Sequence, residues 1–313
     1  MRRKWWVLCL IVLCLDAVDA GLLLALDKGD QERRMPSERN WQIGFTPSVS
    51  SGNFGTNSTS TFVYVPLSIR RLFRDGDVAV VIPFVSATSD GRETLIGGSA
   101  TRIDDGGGSN SGPGGGGSGS PDDGGCSGKG QSGSGKNRTC GTTTRLPGQK
   151  VTTAGIGDII LRGRYYVVEE KDFVPLIAVT GRVKIPTASA NQGLGTGELD
   201  YGFGAEVSKM LGDWWIGFLD GGYNIIGDPE GLNFQNQYWY DIGAGYYFTK
   251  KLLVSLYFEE YRAVVPGFVN ARDLFFSTYY RASDTWRFNA GLTVGVSNGA
   301  PDYGISIGTS YRF

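Results

Sequence analysis

The chain has 313 residues, 40% hydrophobic and 19% charged, with 49 glycines, which excludes a disordered polyelectrolyte of low apolar content and strong net charge. Its 30 basic and 31 acidic side chains give a net charge of −1, so no whole-protein field draws it to nucleic acid. Histidine is absent, which removes the usual general base, the usual metal ligand and every Ser/His or Cys/His dyad.

At the start, Arg2, Arg3 and Lys4 precede an apolar run from Trp5 to Leu15, and Val18-Asp19-Ala20 offers small residues to a signal peptidase. The run is too short for a membrane helix, which takes about 20 residues. Residues 1–20 read as a cleaved secretory signal and residues 21–40 as a periplasmic N-terminal tail. An uncleaved anchor is the alternative, because Leu22 to Leu26 extend the apolar character. Removing residues 1–20 leaves 27 positive and 29 negative side chains, a net charge of −2.

From residue 41 onward the pattern has a period of two. Twelve two-faced strands are predicted near 41–50, 60–72, 77–87, 155–169, 173–186, 199–210, 214–226, 237–248, 252–263, 271–281, 286–296 and 303–313. The last is clearest: Tyr303, Ile305, Ile307, Thr309, Tyr311 and Phe313 alternate with Gly304, Ser306, Gly308, Ser310 and Arg312. Successive strand side chains point to opposite faces. Connections alternate between tight turns, such as Arg74-Asp-Gly-Asp77, and longer loops, at 51–59, 88–154, 187–198, 227–236, 264–270 and 297–302. That alternation is the signature of an all-β fold, a 12-stranded antiparallel transmembrane β-barrel of the bacterial outer membrane, with short periplasmic turns and long outer loops.

A soluble β-sandwich also alternates, but its solvent face is usually rich in Lys, Glu and Thr. Here the second face is Gly and Ser. Aromatic residues gather at strand ends (Trp214, Trp215, Tyr238, Tyr240, Tyr246, Tyr247, Phe248, Tyr279, Tyr280, Trp286, Tyr311, Phe313), as an interfacial girdle requires. The expected surroundings are outer-membrane lipid and lipopolysaccharide. By analogy, the outer-membrane barrel assembly machinery would read the terminal Phe313.

Residues 88–154 read as a long Gly/Ser-rich extracellular loop, flexible over 104–141. Cys126 and Cys140 lie inside it, and in an exported chain they are expected to form a disulfide. Closing that loop is worth about 3 kcal/mol in the chain-entropy model. Gly130-Gln-Ser-Gly-Ser-Gly-Lys136 has the spacing of a phosphate-binding loop. Asn137 replaces the Ser/Thr that would hold Mg²⁺, and no strand or helix frames it, so the match reads as accidental.

Several short motifs resemble a known family, the outer-membrane proteins of the meta-pathway of phenol degradation. Its carriers are Gly155-Ile-Gly-Asp158, Lys184-Ile-Pro-Thr187 followed by Gly193-Leu-Gly-Thr-Gly197 and Asp200, and Ala300-Pro-Asp-Tyr303 leading to Ser310-Tyr-Arg-Phe313. The similarity runs from about residue 41 to the end. It departs from the family pattern at Ala188, where Gly is expected, and in the very long loop between the third and fourth strands. The resemblance implies an outer-membrane barrel that passes small aromatic or other organic solutes.

If the greasy parity faces lipid, the lumen receives the other set. Arg162, Arg164, Arg182 and Lys184 then share neighbouring strands, Asp200, Glu206, Asp220, Asp241, Glu259 and Asp273 occupy the next five, and Arg287 and Arg312 flank the closing seam. Two readings stay open: a transverse field acting on solutes in a water-filled constriction, or a structural charge network filling a narrow barrel. Near the first strands, Phe62, Tyr64, Pro66, Val81, Pro83 and Val85 take the inward parity. They form either an apolar guide for aromatic solutes or, as preferred, a region where the prolines kink strands beside bulges that can reverse parity.

The leading functional expectation is a channel for passive or facilitated diffusion of small organic solutes. The runner-up is an occluded structural or adhesive barrel acting through residues 88–154. No enzyme activity, cofactor or metal is expected, and no nucleic-acid partner.

Overall fold

A computed structural model describes residues 39–103, 150–229 and 232–313. The signal segment, the Cys126–Cys140 pair and the Gly130 to Lys136 stretch lie outside these residues, as does most of the N-terminal tail.

Apart from one 3-10 turn at Ala190–Gln192, the regular structure of the described residues is strand. The first stave of the barrel comes in two pieces, β1 (Trp41–Phe45) and β2 (Ser48–Gly52), followed by the long hairpin β3 (Ser60–Phe73) and β4 (Gly76–Ser89). A small separate hairpin, β5 (Glu93–Ile96) and β6 (Ser99–Arg102), comes next. The fourth stave is again divided, into β7 (Val151–Ile156) and β8 (Ile159–Val168). Then follow β9 (Leu176–Ile185), β10 (Asp200–Leu211), β11 (Trp215–Ile225) and β12 (Gln237–Thr249). The last four are β13 (Leu252–Tyr261), β14 (Ala271–Arg281), β15 (Trp286–Gly295) and β16 (Tyr303–Arg312).

Each stave pairs antiparallel with the next, and β16 pairs with both β1 and β2, so the sheet closes on itself as 12 staves. Closure matters because an open edge in hydrocarbon leaves a row of unsatisfied N–H and C=O groups. Both described ends meet at this seam, where Trp41 N–H donates to Phe313 O at 3.0 Å and Phe313 N–H to Trp41 O at 2.8 Å.

The greasy parity faces outward. On β16, Ile305 and Ile307 are 52% and 66% exposed, whereas Ser306 between them is 6% exposed. The same alternation runs along β15 and β1. Long apolar side chains left bare on every stave are what a barrel in hydrocarbon presents, and strands of 10–14 residues suit a tilted crossing. At the turn end the outward aromatics cluster: Trp215 on Tyr246 and Trp286 on Tyr311, each with ring centroids 5.0 Å apart, with the Arg71 guanidinium 5.0 Å over Trp41. Tyr201, Tyr238, Tyr240 and Tyr303 stand outward at the loop end. These make the two girdles.

Two of the aromatics expected in a girdle turn inward instead. Tyr279 is 2% exposed and Tyr247 packs beside it, in a cluster with Ile216, Phe218, Leu253, Tyr257 and Phe275. Inward glycines make the room: a Cβ on Gly243 would lie 2.4 Å from the Tyr257 ring, and one on Gly291 would lie 2.7 Å from Phe275.

The structure departs from the predicted strands in four other places. The first strand breaks at Thr46-Pro47 without losing register, since Ser48 pairs Tyr64 in the frame set by Phe45 and Leu67. The fourth begins at Val151, earlier than predicted, and breaks at Gly157-Asp158. The fifth starts at Leu176, leaving Phe173 fully exposed in the turn before it. Residues 93–102, predicted as part of a structureless loop, form the β5–β6 hairpin.

Prolines explain the two breaks. Pro66 and Pro83 are cross-strand partners on β3 and β4, and the register runs through them unshifted. Neither can donate to its outer neighbour. On that outer side of Pro66 lies the Pro47 break, and on that of Pro83 lies the Gly157 bulge, where Gly157 N–H donates to Pro83 O at 2.8 Å. Parity does reverse across this bulge: Ile156 is outward, and so is Tyr165 of opposite parity. Phe62, Tyr64, Pro66, Val81, Pro83 and Val85 themselves all remain buried on the inner wall.

Candidate functional site

The barrel pleat turns all twelve sequence-selected charges to the inner face. Five of the acids form a continuous in-register row: Glu206 opposes Asp220, Asp220 opposes Asp241, Asp241 opposes Glu259, and Glu259 opposes Asp273. Each is 8% exposed or less. On the adjoining staves, Arg162 of β8 and Arg182 of β9 are cross-strand partners, with Arg164 one inward position further.

The two groups meet through ion pairs. Arg164 Nε lies 2.8 Å from Glu206 Oε2, and its Nη1 lies 3.6 Å from Asp77, which in turn is 3.5 Å from Arg70. Asp220 also accepts the Val207 N–H at 3.0 Å. Arg162, Arg182, Asp220, Asp241, Arg287 and Arg312 each have an interaction partner as well. Arg70 and Asp77 escaped the sequence reading. Arg70 shares the inward parity of Tyr64 and Pro66, a usable signal, whereas Asp77 looked like a turn residue.

Lys184 sits at the centre of a second cluster. Its Nζ, with no exposed surface, lies 2.7 Å from Asp200 and 3.1 Å from Asp158, and donates to Thr196 Oγ1 at 2.8 Å. Asp158 also accepts the Ala188 N–H at 3.0 Å, and Asp200 the Gly227 N–H at 2.9 Å. Thr187 Oγ1 accepts the Ile159 N–H and donates to Gly157 O, clamping the bulge. The sequence motifs around Asp158, Lys184, Thr196 and Asp200 therefore converge on one knot, which ties the 186–199 loop to the wall. Ala188 is tolerated because its contact runs through backbone N–H. Gly195 is required by space, since a Cβ there would meet Asp158 Oδ2 at 2.8 Å.

The β5–β6 hairpin lies across the loop end of the lumen. Leu95 packs with Phe54, Phe62, Tyr64, Val85 and Leu194, and Ile96 with Ile226 and Val264. Thr94 Oγ1 donates to Gly193 O at 3.0 Å, and Ser60 Oγ to Glu93 Oε2 at 2.7 Å. Burial pushes the Glu93 carboxyl above the ordinary carboxylate range, against the Ser60 hydrogen bond, which acts the other way.

Under this hairpin is a cavity of about 200 Å³. Its walls include Phe62, Tyr64, Ile96 and Phe268, and its polar lining includes Glu259, Asp273 and Tyr261. Among the described residues no group of three or more His, Cys, Asp or Glu could hold a metal ion.

A family model described as the putative MetA-pathway of phenol degradation matches residues 88–313. The chain belongs to that family. The match covers the region from the end of β4 onward, a shorter span than the resemblance from residue 41. No curated protein sequence matches the chain significantly. Among solved structures, an outer membrane channel from Pseudomonas putida F1 superposes with a TM-score of 0.56 at 11% identity, over 89% of this chain and 97% of that one. The NanC porin gives 0.46 at 10% identity, over 87% and 100%. The P. putida toluene transporter TodX gives 0.42 at 9% identity, over 89% and 91%. The first superposition supports the fold of an outer-membrane barrel. Together with the apolar outer face, this places the chain in the outer membrane, crossed by its strands.

Proposed function

We propose that this family member is a gated outer-membrane channel for passive or facilitated diffusion of small organic solutes, aromatic ones among them. The observation that carries the reading is the loop-end cavity, a space inside a closed barrel walled by Phe54, Phe62, Tyr64, Tyr261 and Phe268. The family's association with phenol degradation supports an aromatic solute. In this reading the turns face the periplasm, residues 88–154 lie outside, and the β5–β6 hairpin must shift for a solute to pass. The twelve inward charges line the route and set which solutes cross it. Outward at the loop end, Arg272 faces lipopolysaccharide, while the exposed Phe313 at the seam is available to the barrel assembly machinery.

An occluded structural barrel is favoured by one observation: Arg182, Asp220, Asp241 and Tyr257 at mid-depth are each 2% exposed or less. Swelling of liposomes carrying folded protein separates the two. The channel reading expects swelling with small uncharged aromatic solutes and slower swelling with disaccharides. Uptake of neither solute class, by protein whose folding is verified by heat-dependent gel mobility, would establish the occluded barrel.

A further inference from the structure

Just beneath the loop-end cavity the inner wall carries a level of rings. Thr293 lines the cavity, and its cross-strand partner is Phe275. From Phe275 the register runs on at the same depth through Tyr257, Gly243 and Phe218. Glu259 and Asp273, one inward position toward the loops, line the cavity as well, so a solute moving down from it meets this level first.

The three rings form a belt across β11 to β14. Phe218 and Tyr257 stack across the intervening β12 with centroids 5.1 Å apart and planes at 23°, and Tyr257 and Phe275 follow at 6.1 Å and 33°. Stacking across a whole stave is possible because Gly243 leaves that stave bare at this depth, and Phe275 likewise leans over Gly291. Each ring is 3% exposed or less, so opposing side chains close over the belt and shut the lumen here. The next level toward the turns is small throughout, with Gly245, Ser255, Ser277 and Gly291 as successive partners. Rings held mainly by packing can tip into such a level. Shifting the neighbouring acids would instead break buried ion pairs, such as Arg164 with Glu206, at far greater cost.

We infer that the Phe218–Tyr257–Phe275 belt is the barrier of the lumen and that it sorts solutes by ring planarity. A planar aromatic ring slips between the belt and the opposing side chains by stacking on each ring in turn, as offset-stacked pairs are favoured beyond their buried area. A puckered saturated ring of the same carbon count is thicker and gains no such stacking. The uncharged faces of the belt also make the shut lumen a poor path for ions. The sorting rests on the channel reading, but the barrier does not.

The test uses the full chain, with the folding of each variant verified by heat-dependent gel mobility. Liposome swelling is followed with phenylglycine and cyclohexylglycine, zwitterions that share a head group and differ only in the ring. Phenylglycine should enter about two- to tenfold faster. Phe218→Leu and Phe275→Leu keep most of the bulk and lose the aromatic face, and each should bring the two rates together with little change in single-channel conductance. Tyr257→Ala should raise that conductance severalfold, whereas Tyr257→Phe should behave as the unaltered chain. Where Tyr257→Ala does not fold, Phe218→Ala opens the same belt. A preference that survives both leucine substitutions, or a conductance unmoved by the alanine substitution, would overturn the inference. Equal entry of the two solutes would refute the inference and leave the channel reading standing. Entry of neither, beside a conducting Tyr257→Ala, would refute the channel reading alone and leave the belt as the barrier.

Discussion

Lys184 shows how much a single side chain can organise when burial leaves it no water. Its ammonium answers Asp158 and Asp200 together, so the three groups stand or fall as one unit. Lys184→Met keeps the bulk and removes the charge, leaving two buried carboxylates facing each other. The expected loss is about 3–5 kcal/mol of folding free energy, measured by urea titration into lipid vesicles. The inward parity of Lys184 was legible in the sequence, as were the motifs around it. That three separate motifs meet at one atom was not, because the Gly157 bulge shifts the parity that alternation alone would carry forward. Tyr279 was misread for a related reason: aromatic content near a strand end marks an interface only when its parity is outward.

At the level of elements, the β5–β6 hairpin is the piece that periodicity missed. Its four-residue strands are too short to show a convincing alternation, and they adjoin a long Gly/Ser-rich stretch. One signal was present. Gly97 and Gly98 both have positive φ, 62° and 96°, the two-residue turn that a Gly-Gly pair favours. Glu93 makes the docking of this hairpin sensitive to pH. Its folded titration lies above the ordinary carboxylate range, chiefly through burial, so docking is most stable while Glu93 is protonated and weakens as pH rises through the folded value. Amide exchange at Leu95 and Ile96 should therefore accelerate, beyond its intrinsic pH dependence, as pH rises above the ordinary carboxylate range. Glu93→Gln should abolish that excess, and an excess that survives the substitution would remove Glu93 as its source.

For the molecule as a whole, the barrel was legible because alternation, turn rhythm and girdle residues agree across twelve strands. The prolines were the part that alternation could not resolve: they leave the Pro66–Pro83 register intact and break the staves on either side. The outer face gives the sharpest test of the medium. Ile242, 55% exposed near the middle of β12, meets hydrocarbon in this account. Ile242→Arg should cost about 2–4 kcal/mol of folding free energy in vesicles. At a water-exposed site the same change would usually stay within about 0.5 kcal/mol.

The channel reading itself is most directly tested by single-channel recording of the folded protein in a planar bilayer. The packed mid-lumen and the docked hairpin predict small, intermittent openings that become more frequent as pH rises through the Glu93 titration. A membrane that stays electrically silent at every pH, with insertion independently verified, would contradict it.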